Sequence, residues 1–308
     1  MNNGYKFIQK ENALKPGIYF GLDDGIYHRD SAISRSTLSA LKDLTPFEVW
    51  LNSWLNPSRD MRTNPENDAA KFGRYYHMYL LEQDRFQEHY RVSAMDKYNP
   101  NKESLTRDQY EFIKFASRAM MHKEKVKQYL SNGIPEVTIV HADPRTGHLI
   151  RTRHDYFKIN MTIDIKSIRD LKDRTIKNHI YAYHYAIQEY LYMQARKVIR
   201  VMLRQGTAHI YGDCSERFLE AFMKVDPYRE AMIFIPQKKD FPYPLRTLHL
   251  SQRTREMGED DAMQLIDKYI FYLQEYGKEP WPLGGEDIEE FDIFEGAQKI
   301  EREDEIYE

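Results

Sequence analysis

Residues 135–167, PEVTIVHADPRTGHLIRTRHDYFKINMTIDIKS, have the pattern of strand, turn, strand, turn, strand. Glu136 to His141 alternates in the period-2 manner of a half-buried strand, and Asp143-Pro144-Arg145-Thr146-Gly147 is turn chemistry. Leu149 to Phe157 runs back, and Lys158-Ile159-Asn160 connects into a third strand, Met161 to Ser167. Side chains two apart on a strand share a face, so Asp164 and Lys166 project together while Ile163 and Ile165 project oppositely. Asp155 lies on the neighbouring strand and converges on them if the two pair antiparallel. Two carboxylates and a lysine suit a divalent-metal site, but an isolated D-x-K triplet is common by chance. At this level metal-binding and purely structural roles both fit.

Outward from this stretch the chain reads as mixed α and β. Residues 5–35 look irregular, punctuated by Pro16, Gly17, Gly21 and Gly25. Ser34 or Ser36 can cap a helix, and Thr45-Pro46 starts another with Phe47, Trp50, Leu51 and Trp54 on one face, a face better suited to core than to base stacking. Residues 56–67 read as a polar loop. Asp68 caps DAAKFGRYYHMYLLEQ, where Gly73 and His77 are four apart and share a face. Taken alone, His77 is better read as a structural residue. A short strand is expected at 86–93, and one helix from Thr106 to residue 130, stopped by Ser131-Asn132-Gly133. Downstream, Thr175 to Val198 reads as one long helix with Gln188 and Tyr192 on one side, and its tyrosines are compatible with core packing. Strands follow near Thr207–Tyr211, Ala231–Pro236 and Arg246–Leu250, with helices at 215–225 and at Ser251–Tyr276.

Composition narrows the function. At 308 residues and 41% hydrophobic, the chain can bury a real core. A single Cys214 excludes an internal disulfide framework or an all-cysteine metal site within one chain. No apolar run approaches the ~18 residues a membrane span needs, and the first residues lack a signal-peptide core, so a soluble cytoplasmic protein is expected. Residues 136–210 hold 13 Lys/Arg against 7 Asp/Glu, whereas 284–308 hold 2 against 11. A basic centre attracts phosphates and an acidic tail repels them, although solvated surface explains charge equally well.

Four local signals occur in a fixed order: Gly73-x-x-x-His77, Asp155, Asp164-x-Lys166 and Gln188-x-x-x-Tyr192. That order resembles the RecB-type branch of the PD-(D/E)XK nuclease superfamily, most closely the RecE (exonuclease VIII) C-terminal nuclease and its phage relatives. YHRDSAISRSTL, FGRYYHMYLLEQDRF and ADPRTGHLIRTRHDYF are each similar to segments of that family, and the likeness spans roughly residues 17–195. Gln83 stands where the family often has proline, Asp164 where it often has glutamate, and Arg74-Tyr75-Tyr76 is bulkier than usual.

The resemblance implies a restriction-endonuclease-like α/β fold, a mixed central sheet flanked by helices with a helical N-terminal elaboration. One nuclease domain over 1–283 is expected, with the elaboration at 1–67, the catalytic core at 68–198 and C-terminal strands and helix at 199–283, followed by the acidic tail 284–308. It further implies metal ligation by His77, Asp155, Asp164 and the Ile165 carbonyl, with Glu136 either a further ligand or a solvated edge charge. Oxygen ligands suit Mg2+, and the imidazole would favour Mn2+ as a substitute. Lys166 would orient the attacking water and offset charge on the phosphorus oxygens. Gln188 and Tyr192 would support the site or touch DNA. Arg151 and Arg153, sharing the parity of Asp155, together with Lys158, Arg169, Lys172 and Lys177, would contact phosphates without reading sequence. Implied partners are double-stranded DNA ends, a RecT-type annealing protein and further copies of the chain in a ring, in a prokaryotic or phage setting. An endonuclease, a single-strand trimming nuclease and a non-catalytic DNA-binding protein on a nuclease scaffold remain compatible. Iron–sulfur relatives are disfavoured, because Cys214 alone cannot supply four thiolates.

Overall fold

Strand alternation builds the sheet as the quoted stretch predicts. In the computed structural model, which describes residues 13–59, 68–93 and 95–284, three antiparallel neighbours β5 (Ile134–Ala142), β6 (Leu149–Phe157) and β7 (Met161–Ile168) form its centre. On one side β1 (Gly17–Tyr19) pairs antiparallel with β5, and β8 (His209–Tyr211) pairs parallel with β1. On the other, β9 (Ala231–Lys238) runs parallel to β7, giving the order β8-β1-β5-β6-β7-β9, with the short β2 (Ile33–Ser34) against β6. A separate parallel pair, β3 (Tyr90–Val92) and β4 (Glu103–Leu105), lies outside this sheet.

Parity divides the two faces. Met232 and Phe234 of β9 pack with α2 (Arg35–Asp43), α3 (Pro46–Leu51), α9 (Tyr185–Gln205) and α11 (Gln252–Tyr276). Ile233 and Ile235, with Ile163 and Ile165 of β7, pack on the other face against α4 (Asp68–Leu81) and α6 (Arg107–Met121). A mixed sheet covered by helices on both faces is the restriction-endonuclease-like fold. Helix starts follow their caps: Ser34, Thr45 and Thr106 each close a capping box, and Ser251 caps α11. Phe47, Trp50 and Trp54 are core or pack on it. No helix of the described residues is long and apolar enough to cross a membrane.

Several expectations are corrected. Residues 17–34 are not irregular: they supply β1, α1 (Asp24–Arg29) and β2. Gly17, read as turn punctuation, is a strand residue where a Cβ would lie 2.1 Å from the His209 carbonyl oxygen. The strand at 86–93 begins only at Tyr90, because α5 (Gln83–His89) precedes it and buries Phe86. The helix from Thr106 breaks after Met121 and resumes as α7 (Glu124–Tyr129), burying Val126. The helix from Thr175 is two, α8 (Asp173–Ala182) and α9, separated at His184, whose φ is 51° and whose Nε2 lies 3.0 Å from both Asp43 oxygens. Arg246–Leu250 makes one isolated bridge, Leu248 with Phe234, rather than a strand: Arg246 donates to the Pro236 carbonyl at 3.0 Å, and Pro236 has no N–H to return the bond. The helix at 215–225 is α10 (Glu216–Lys224), capped by Ser215. Except for Gly284, the acidic tail lies outside the described residues.

α11 crosses α9 at Gly258, where a Cβ would sit 2.4 Å from the Ala186 carbonyl carbon and oxygen. Gly258→Ala gains up to about 1 kcal/mol of helix propensity but forces a backbone apart, which costs about 1–3 kcal/mol. The clash wins, and the urea midpoint is expected to fall; a rise would show that the two helices part without cost.

Candidate active site

An irregularity in the central hairpin creates the site. Pairing runs in one register on both sides of Glu136 and Asp155, from Pro135↔Tyr156 to Val137↔His154, yet these two are not themselves paired. Glu136 adopts φ 51°, an uncommon conformation for a residue with a Cβ. The alternation slips there. His154 and Phe157, three apart, face the same side, with ring centroids 5.3 Å apart, His154 against Tyr192 and Phe157 against Phe222. The slip turns Glu136 and Asp155 toward one cavity. β6 and β7 also part beyond Tyr156↔Ile163, and the Asp155 Oδ2 accepts the Ile165 N–H at 3.0 Å where a ladder bond would continue.

α4 supplies the third member. His77 Nε2 lies 3.0 Å from the Ile165 carbonyl oxygen. A carbonyl only accepts, so Nε2 carries the proton and, in the uncharged ring, Nδ1 presents a lone pair. Nδ1 is 3.6 Å from Asp155 Oδ2, and one ligand atom each of His77, Glu136 and Asp155 fall within 4.8 Å of one another. Burial first, and then the Asp155 charge, push the Glu136 carboxyl well above its usual range. Three acceptors facing each other require a cation or a proton between them. An imidazole nitrogen and two carboxylates fit a divalent metal, and His77, Glu136 and Asp155 are the residues that would hold it.

Asp164, expected among the ligands, is placed beside this group with both oxygens engaged. Oδ1 accepts from Gln188 Nε2 at 2.6 Å and Oδ2 lies 2.8 Å from Lys166 Nζ. The residue is fully buried, and burial, then Asp155, raise its pKa while Lys166 lowers it. The Ile165 carbonyl, also expected as a ligand, already accepts from His77. Glu136, open in the sequence, is drawn into the cluster. Tyr192 is buried against His154 and lines the cavity wall, a packing position rather than an exposed DNA contact.

The cavity has a volume of about 330 Å³, and Asp155, Glu136 and His77 share its lining with Arg153, Arg35 and Tyr27. Arg153 stays at the cavity but is paired with Asp24, and its guanidinium carbon lies 4.1 Å from the Tyr27 ring centre. Arg151 is corrected: it is buried and donates to the Asp30 and Ala32 carbonyls at 2.5 and 2.7 Å, clasping the N-terminal segment rather than a phosphate. Lys158, in the β6–β7 turn, donates to the Gln128 carbonyl of α7. Arg169, Lys172 and Lys177 are exposed just beyond β7. Asp24, Tyr27 and Arg35 went unassigned in the sequence. The segment carrying them reads as irregular up to the helix cap at Ser34 or Ser36, and nothing in its spacing shows that α1 folds over β6.

A search of curated proteins gave no match. Among solved structures, a crystal structure of a "Putative exonuclease" from Eubacterium rectale aligns over 83% of this chain and 87% of that one, with TM-score 0.54 at 14% identity, a likeness of fold. Residues 38–240, which carry the His77–Glu136–Asp155 cluster and the D-x-K strand, match the family described as PDDEXK-like domain of unknown function (DUF3799), and the chain belongs to that family, within the PD-(D/E)XK nuclease superfamily.

Proposed function

We propose that the protein is a metal-dependent DNA exonuclease that hydrolyses phosphodiester bonds 5′ to 3′ at double-stranded ends and exposes 3′ single strands for recombination. The observation carrying the nuclease reading is the convergence of three acceptors, His77 Nδ1, Glu136 and Asp155, beside the Asp164–Lys166 pair. Family membership supports phosphodiester hydrolysis with a divalent ion; the polarity and the preference for ends rest on the resemblance to RecE-type nucleases.

When bound, a divalent ion supplies Lewis-acid stabilisation of the phosphoryl oxygens and lowers the pKa of water. The chain's own groups do the rest. Asp155 is held by the Ile165 N–H, so its carboxylate enters the reaction already oriented. Lys166 brings an ammonium beside Asp164, where it can orient the attacking water and oppose charge on the non-bridging oxygens. Gln188 donates to Asp164 and keeps that carboxylate turned toward the lysine. The exposed Arg169, Lys172 and Lys177 suit sequence-independent phosphate contacts, weakened by salt. The resemblance also supports a ring of copies and handover of the 3′ strand to a RecT-type annealing protein.

The test is a time course on linear duplexes labelled at the 5′ or the 3′ end, with Mg2+, Mn2+ or EDTA. Progressive release from the 5′ end, blocked by EDTA, is expected, with covalently closed circles left intact. Cleavage of circles would point to an endonuclease, and metal-independent binding without product to a non-catalytic scaffold.

A further inference from the structure

Tyr185 stands where the break between α8 and α9 delivers it: it is the first residue of α9, directly after the left-handed His184. One face of its ring stacks on Phe234, with centroids 5.0 Å apart and planes 6° from parallel. Phe234 is the β9 residue paired with Asp164. The Lys166 Nζ lies 5.3 Å from the Tyr185 ring centre, and since Phe234 covers one face the ammonium sits over the other. The Tyr185 hydroxyl is 2.6 Å from His179 Nδ1. His179 is held uncharged near neutral pH, its pKa pulled down to about 4 by burial and then by the charges of Lys166 and Lys239. An uncharged imidazole can accept the phenolic proton, and a phenol donating a hydrogen bond becomes more electron-rich, which strengthens its pull on a cation.

We propose that Tyr185, fixed by Phe234 and His179, is a positioning residue for Lys166: its ring and the Asp164 carboxylate together hold the ammonium in one orientation. A lysine on a flexible four-carbon stem otherwise samples many rotamers. A carboxylate alone fixes its distance but not its direction. Tyr185 touches no reacting atom in this arrangement and acts only through Lys166. The inference rests on the nuclease reading for its consequence, but its geometry can be measured without activity.

Two measurements test it. Reductive methylation with 13C-formaldehyde keeps each lysine charged and labels it; the Lys166 resonance is identified as the one missing from Lys166→Met. In the wild-type protein that resonance is expected well upfield of the exposed lysines through the Tyr185 ring current, retained in Tyr185→Phe and moved toward the exposed lysines in Tyr185→Leu. A wild-type Lys166 signal coinciding with exposed lysines overturns the proposal, and this arm needs no variant of Tyr185 to fold. In kinetics, Tyr185→Leu is expected to lower kcat about tenfold with KM little changed, and Tyr185→Phe to recover most of that loss. In a Lys166→Met background the same change is expected to cost less than about twofold. Equal losses in both backgrounds would mean that Tyr185 acts on the fold alone. A wild-type protein that cleaves nothing defeats the nuclease reading and leaves the resonance arm to decide this one; an active protein with an unshifted resonance defeats only this one.

Discussion

Asp155→Asn is expected to lower DNA cleavage by roughly 10²–10³-fold or more, the scale lost when one preorganised charge-stabilising group is removed from an active site. The substitution is nearly isosteric, and the amide oxygen can still accept the Ile165 N–H, so the sheet is expected to stay intact. What disappears is the negative charge that Asp155 brings to the cluster with His77 and Glu136. A second readout separates chemistry from folding. Wild-type protein is expected to melt higher on addition of Mn2+, because an ion that binds only the folded state stabilises it by mass action. That increment should vanish in Asp155→Asn and in Glu136→Gln. Without metal, Glu136→Gln is expected to melt above wild type, since burial and the Asp155 charge both oppose ionisation of Glu136. Full cleavage activity in Asp155→Asn, or an undiminished Mn2+ shift in both variants, would remove the cluster from the active site.

Glu230→Ala is expected to destabilise the fold by about 3–5 kcal/mol, the cost of leaving buried charge without its partner. The Glu230 Oε1 accepts from Arg196 Nε at 2.8 Å and Nη2 at 2.5 Å, and from Arg200 Nη2, with all three side chains almost wholly inaccessible. Burial already pulls the Arg196 pKa down to about 10 against the opposing influence of Glu230. Arg196 also donates to the carbonyls of Lys158, Ile159 and Met161, pinning the β6–β7 turn to α9. The same helix carries Gln188 and the same hairpin carries Asp155 and Asp164, so this ion cluster sets the frame in which the site converges. Urea denaturation measures the loss, with Arg229→Ala as a control: that side chain is 86% exposed, and its removal should shift stability by less than about 0.5 kcal/mol. A change below about 1 kcal/mol for Glu230→Ala would show that water reaches the two guanidiniums.

Much of the site is legible because its signals are local. Asp164 and Lys166 sit two apart on a strand, Gly73 and His77 four apart on a helix, and short-range periodicity alone places each pair on one face. Tyr185 was not legible as a partner of Lys166, because the run from Thr175 to Val198 has the period of one continuous helix. At its break the left-handed His184 meets Asp43, a residue 141 positions away, a contact that no local period announces. Arg151 misled for a similar reason. Its parity with Asp155 aims it toward the site's side of β6, but the N-terminal segment covers that position and takes its donors.

By itself, the sequence determined the three central strands, the starts of the helices capped by Ser34, Thr45, Thr106 and Ser251, and the residue types able to bind a hard cation. Those features follow from side-chain alternation and from the donors and acceptors of neighbouring residues. Only the tertiary structure decided which carboxylates meet. Regular alternation predicts Asp155 and Asp164 as the pair, whereas the left-handed backbone at Glu136 and the parting of β6 from β7 bring Glu136 and Asp155 to His77 and leave Asp164 to Lys166 and Gln188. Glu136 and Asp155 leave the ladder together, so the alternation reverses on both strands while their register is kept, and a period-2 pattern of side chains carries no signal of that reversal.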